Sequence, residues 1–188
     1  PREKQQIAFR YISKRERLLC VLPTSYGKTN IALQAFQSSR DRGKKFLMLL
    51  PTKALVEEMK NTLTKYFHIL PVSSDYRRNK RIILNNPEVD GYCMTFEMAY
   101  QFIIHKTKRT ELFPPIDWIV VDEAHLLGME NRGAIIESFL YLVRNFYPQI
   151  LFCLLSATIG NPEEVARHLG LKLVYASPEE RPIKLVTK

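Results

Sequence analysis

Three short stretches of this chain carry residue types that phosphoryl chemistry needs. In Leu22-Pro23-Thr24-Ser25-Tyr26-Gly27-Lys28-Thr29, Gly27 lets the backbone approach a phosphate closely, Lys28 sets an ammonium on the outer phosphates, and Thr29 offers a hydroxyl to Mg²⁺. Thr24, Ser25 and Tyr26 complete the loop. Leu22 stands where the strict form of such a loop has its first glycine, so the reading rests on Gly-Lys-Thr and its placement. The second stretch is Asp122-Glu123. Asp122 suits a carboxylate that holds a Mg²⁺ shell, and Glu123 one that orients or deprotonates an attacking water. The third is Ser156-Ala157-Thr158, whose hydroxyls can sense the state of a bound nucleotide. Each has a plainer reading: a turn entering a helix, acids favoured at a helix start by its dipole, and ordinary strand-end hydroxyls.

What argues for chemistry is position. Apolar runs at 18–22, 118–121 and 150–155 immediately precede the three stretches, with similar runs at 46–50 and 91–95, all too short for typical helices. They read as strands. Between them, 54–67 and 134–146 return apolar residues every three or four positions, as helices with one buried face do. Strands apolar almost throughout, alternating with helices, predict an α/β fold with a doubly wound, mostly parallel sheet covered on both faces. In such sheets ligands bind at the carboxyl ends of the strands, where all three polar stretches fall. The helix after the phosphate loop is expected to open at Asn30. A later helix is expected to have Asn161 as N-cap, Pro162 in its first turn and Glu164 three residues beyond the cap.

The remaining composition narrows the classes. A chain of 188 residues with 46% hydrophobic side chains can bury a real core, and no apolar run is long enough to span a bilayer. Basic residues exceed acidic ones, 28 to 19, and the resulting net charge of +9 favours a polyanionic partner, nucleic acid first. Cys20, Cys93 and Cys153 lie far apart in apolar runs, so they read as buried free thiols in an intracellular, reducing setting. No signal-peptide pattern opens the chain, no His or Cys spacing suggests a structural metal, and no internal repeat is found. Residues 1–176 read as one domain and 177–188 as a linker. The start on Pro1 suggests a piece of a larger protein.

Five segments taken together carry a resemblance. Pro23 to Thr29, Pro51-Thr52-Lys53-Ala54-Leu55, Thr95-Phe96-Glu97, Asp122-Glu123-Ala124-His125 and Ser156-Ala157-Thr158 stand in the order of motifs I, Ia, Ib, II and III of superfamily 2 helicases. With His125-Leu126-Leu127-Gly128, Arg132-Gly133 and the segment from Ser156 to Glu164, the chain most resembles the DExH-box branch that includes archaeal DNA-repair helicases and exosome-associated RNA helicases. The resemblance implies the first, RecA-like motor domain of an ATP-dependent helicase moving 3′ to 5′, with ATP and Mg²⁺ as cofactors. It also implies single-stranded DNA or RNA as partner, and a second RecA-like domain beyond Lys188 that supplies arginine fingers.

By the same resemblance Gln5, followed by Ala8, reads the adenine, as an amide that donates and accepts is suited to do. His125, Ser156 and Thr158 couple nucleotide state to movement, while Lys53, Leu55, Thr95 and Glu97 track a nucleic-acid strand. Two alternatives stay open at this point: a translocase of the same superfamily that moves on duplex without unwinding it, and a non-hydrolysing nucleic-acid interaction module. Basic clusters at 40–45, 77–81 and 105–109 read as solvated faces, the second, beside Tyr76 and following an expected strand end, being the best candidate for a phosphate contact.

Overall fold

The computed structural model describes residues 2–72, 86–106, 115–129, 132–177 and 180. The basic cluster at 77–81, most of that at 105–109 and nearly all of the linker at 177–188 lie outside the described residues. Along the chain run α1 (Glu3–Ser13), β1 (Leu18–Val21), α2 (Lys28–Asp41), β2 (Lys45–Leu50), α3 (Lys53–Leu63), β3 (Ile69–Val72), β4 (Gly91–Thr95), α4 (Phe96–Lys106) and β5 (Ile116–Val121). A 3₁₀ turn (Ala124–Gly128), α5 (Arg132–Phe146), β6 (Leu151–Ser156), α6 (Pro162–Leu169) and β7 (Lys172–Tyr175) follow.

The seven strands form one sheet in the order β3-β4-β2-β5-β6-β1-β7, and every pairing is parallel. Successive side chains on each strand point to opposite faces, so each strand feeds two cores. Leu19, Val21, Ile119, Val121, Phe152 and Leu154 meet α4, α5 and α6 on one face. Leu18, Cys20, Trp118, Val120, Cys153 and Leu155 meet α1, α2 and α3 on the other. Fully burying side chains of this size stabilises the fold by about 1.5–3 kcal/mol each, which explains why the central strands have no wet face. All three cysteines are free and buried, and burial pushes the Cys93 thiol up to about 12.

Among the described residues the sheet ends in short strands. β3, which includes Pro71, and β7 have four residues each, and β7 is exposed at both ends. At the amino-terminal side of the sheet a register shift leaves Asp117 between the pairs Lys45↔Ile116 and Phe46↔Trp118. Arg15 grips its carboxylate with both terminal nitrogens, at 3.0 and 2.7 Å. This ion pair ties the turn after α1 to the start of β5, across β6.

Candidate nucleotide site and strand track

Strand order brings the three polar stretches together. β6 lies between β1 and β5, so the loops that follow Val21, Val121 and Ser156 open side by side on one sheet edge. A backbone bond joins two of them: Leu22 N–H donates to Ser156 O at 2.9 Å.

The phosphate loop turns sharply because Ser25 and Gly27 are left-handed, with φ of 66° and 85°. At Gly27 a side chain would also collide, since a Cβ there would lie 2.3 Å from Gln5 Nε2. Helix α2 begins at Lys28, two residues before the expected Asn30. Lys28 and Thr29 therefore belong to its first turn, whose N–H groups have no intrahelical acceptor and favour an anion. Lys28 Nζ donates to Leu22 O at 3.1 Å, folding the ammonium over its own loop.

On the neighbouring strand, Asp122 continues the sheet through its N–H bond to Leu49 O at 3.0 Å, and its Oδ1 accepts the Glu123 N–H at 2.9 Å. Burial pushes the Asp122 carboxyl up; the Glu123 N–H opposes this, the Glu123 charge adds to it, and the charges of Lys28 and His125 pull it back down. Lys28 and Asp122 thus act on one another electrostatically across β6. Glu123 sits in the left-handed region at φ 54°, a conformation uncommon outside glycine. His125 Nδ1 lies 3.2 Å from Glu123 Oε2 but out of line for a hydrogen bond.

Ser156 is fully buried, and its hydroxyl closes on its own loop, donating to Thr158 O at 2.7 Å and accepting from Thr158 N at 3.3 Å. The link from this loop to the phosphate loop runs through the Ser156 carbonyl. Asn161 stands at the N-cap of α6 with Pro162 directly after it, as expected, but its side chain makes no capping bond: its backbone is left-handed at φ 50°, whereas a capping side chain needs an extended residue, and its Nδ2 reaches Glu164 Oε2 at 3.4 Å.

Gln5 holds a strut position. Its Nε2 donates to Gly27 O at 3.1 Å and its Oε1 accepts the Arg2 N–H at 2.7 Å, so α1 is braced against the phosphate loop. An amide keeps a second N–H and a second lone pair in this arrangement. Sequence reasoning missed Arg2, whose guanidinium donates to Ser25 O at 2.6 Å and lies 5.4 Å from the centre of the Tyr26 ring. Nothing in its local sequence signals a contact 23 residues away.

The other candidates form a second group. β2 and β4 are neighbours with Leu50 opposite Thr95, so Lys53 and Leu55 in the first turn of α3 lie beside Thr95 and Glu97 at the start of α4. Thr52 caps α3 by accepting the Leu55 N–H at 3.3 Å, and Thr95 caps α4 by accepting the Met98 N–H at 3.4 Å. One edge therefore carries two halves: β1, β6 and β5 with the phosphate-type groups, and β2 and β4 with the others.

Residues 2–165 match the DEAD/DEAH box helicase family. The chain belongs to this family. It is 30% identical to the ATP-dependent DNA helicase Hel308 of Methanococcus vannielii, over 98% of this chain and 25% of that protein. With Hel308 of Caldivirga maquilingensis it shares 33% identity, over 90% of this chain and 22% of that one. Among solved structures, the DUF1998 helicase MrfA bound to DNA and AMPPNP superposes with a TM-score of 0.76 at 26% identity, covering 93% of this chain and 27% of that one. The Pyrococcus furiosus Hef helicase domain gives 0.73 at 25% identity, covering 97% of this chain and 39% of that one. The sheet is thus a RecA-like helicase motor fold. The chain spans about a quarter of the length of the Hel308 relatives.

The state of Asp122 yields a stability prediction. A carboxyl whose folded pKa is raised binds more protons in the folded state, so stability falls as pH rises through the gap and stays lower above it. Asp122→Asn should therefore raise the melting temperature at neutral pH, by roughly 2–4 °C for about 1 kcal/mol. The gain should shrink toward about pH 4, where an ordinary unfolded Asp also takes up its proton. Thermal melts of both proteins at the two pH values check this.

Proposed function

We propose that this chain is the first motor domain of a 3′-to-5′ nucleic-acid helicase, and that it binds Mg²⁺-ATP at the β1-β6-β5 half of the edge. The β2-β4 half follows a single strand. The observation that carries this reading is the placement of Lys28 after β1 and Asp122 after β5, on either side of β6 on the same sheet edge, with the Lys28 charge drawing the Asp122 carboxyl down.

In this reading Lys28 leaves Leu22 O for the outer phosphates, with the N–H groups of the first turn of α2 supporting the same charge. Thr29 and Asp122 would hold Mg²⁺, which neutralises charge between the outer phosphates. Among the described residues no group of three His, Cys, Asp or Glu side chains could hold a metal alone. An ion with one carboxylate, one hydroxyl, phosphates and water suits Mg²⁺, which keeps part of its hydration. Glu123 orients the attacking water, and Gln5 reads the adenine with its remaining donor and acceptor. Because Leu22 is bonded to Ser156 O, movement of the phosphate loop is passed to the Ser156–Thr158 loop, with His125 alongside. Lys53, Leu55, Thr95 and Glu97 follow the sugar-phosphate backbone, which suits a motor that must step along any sequence.

A second RecA-like domain, joined through 177–188, would close over the nucleotide and supply arginine. Without such a finger, hydrolysis by this chain alone should be slower by about 10³- to 10⁵-fold. Strand displacement by the full-length protein on a tailed duplex tests the reading. Glu123→Gln should still bind ATP while displacing strand roughly 10²- to 10⁴-fold more slowly. Undiminished displacement would remove Glu123 from the hydrolytic step, and movement without displacement by the native protein would favour a duplex translocase.

A further inference from the structure

The sheet edge opposite the nucleotide site carries a charge excess that the proposed motor does not use. The turn after α1 places Lys14, Arg15 and Arg17 there, and the turn after α2 places Arg42 and Lys44 there, beside Arg40 in the last turn of that helix. The acids nearby are fewer. Glu16 is balanced by Lys172 at 3.2 Å, while Asp41, the last residue of α2, keeps its charge and accepts from the neutral Gln37 Nε2 at 2.7 Å. Asp117, only 5% exposed, lies under two guanidiniums at once, Arg15 at 2.7 Å and Arg42 at 3.8 Å. One carboxylate cannot neutralise two cations.

Aromatic rings flank this patch. Arg40 Nη1 donates to the carbonyl of Tyr66, a residue 57% exposed. At the other side Arg17 Nη2 donates to Pro148 O at 2.7 Å, just beyond Phe146, which is 59% exposed. The turns stand before β2 and β1, with β5 and β6 between them, a span of about 15 Å at the usual strand spacing. Fixed cations over that distance, bordered by exposed rings, match a nucleic-acid strand better than an acidic peptide, since phosphates follow one another and bases stack.

We infer that the amino-terminal sheet edge, centred on Arg15, Arg42, Lys14 and Lys44, is a second nucleic-acid contact. It grips the phosphodiester backbone of a segment separate from the one on the β2-β4 track. Because the two edges face opposite ways, a strand on one cannot lie on the other without looping around the domain.

The test is fluorescence anisotropy of a labelled oligonucleotide over a range of salt. It compares the native chain, the combined variant Lys14→Gln, Arg42→Gln, Lys44→Gln, and Lys53→Ala. These side chains are exposed, and nucleotide titration and thermal melts check that the triple variant is folded. Removing three phosphate contacts should flatten the slope of log K against log salt by about 2, at roughly 0.7 per contact for single strands. Affinity at low salt should drop at least about tenfold. An unchanged slope and affinity in the triple variant, with weaker binding by Lys53→Ala, overturns this inference alone. If neither variant changes binding, both this contact and the proposed track fail. Loss of polyglutamate binding with oligonucleotide binding intact would make the edge an acidic-protein surface and overturn the inference as well.

Discussion

Lys28→Ala is expected to lose nucleotide binding by roughly a hundredfold or more, because two charge-assisted bonds to phosphate, each worth about 1.5–3 kcal/mol, disappear together. The melting temperature should move by no more than a few degrees. The side chain lies half-buried in the first turn of α2, and its bond to Leu22 O, at 3.1 Å, is long for an ionised donor and contributes modestly. A titration with a fluorescent ATP analogue beside a thermal melt separates the two effects. Equal affinity in variant and native chain would remove the phosphate role of this loop, and with it the electrostatic link to Asp122 as a functional feature.

The second large effect is expected at a position with no chemistry of its own. Gly133 lies in the first turn of α5, packed on the 3₁₀ turn that follows Glu123. A Cβ there would stand 2.4 Å from Leu127 O and 2.9 Å from Leu126 O, both backbone atoms that cannot swing aside. Gly133→Ala must therefore shift either the helix or the turn. Overpacking of this kind costs about 1–3 kcal/mol, so the melting temperature should fall by roughly 3–10 °C. Since the turn carries His125 and follows Glu123 directly, hydrolysis in the full-length protein should drop more than ATP affinity does. Steady-state kinetics beside equilibrium binding would show this; a variant with native stability and native turnover would mean that the turn does not hold the acidic pair in place.

The central strands were legible because both of their faces are buried, which leaves an unbroken apolar run; β1, β2, β4, β5 and β6 all fall where such runs occur. For the converse reason β7 was missed, and β3 was anticipated only as a strand end ahead of the 77–81 cluster. At the margins of the sheet Ile69 to Val72 is only half covered, and Lys172 and Tyr175 face solvent, so neither stretch carries a strong pattern. Lys28, Asp122 and Ser156 were expected on one edge, and strand order places them there. Contacts that depend on tertiary approach left no local trace. Arg2 on Ser25 O, Gln5 on Gly27 O and Arg15 on Asp117 each join residues more than 20 positions apart. The start of α2 was set two residues late because the left-handed turn at Gly27, rather than a capping side chain, launches the helix. Asn161 marked the start of α6 correctly, although its left-handed backbone keeps the side chain from capping it.

The brevity of β3 and β7 has a bearing on handling this domain at high concentration. A long, flat, apolar margin would recruit a second molecule and grow into filaments. Here one margin includes a proline, which has no N–H to offer, and the other begins with a lysine whose charge would be trapped by docking. Self-association through the sheet is thereby discouraged at both ends, which keeps the unit suited to titrations at the protein concentrations that weak nucleotide binding demands.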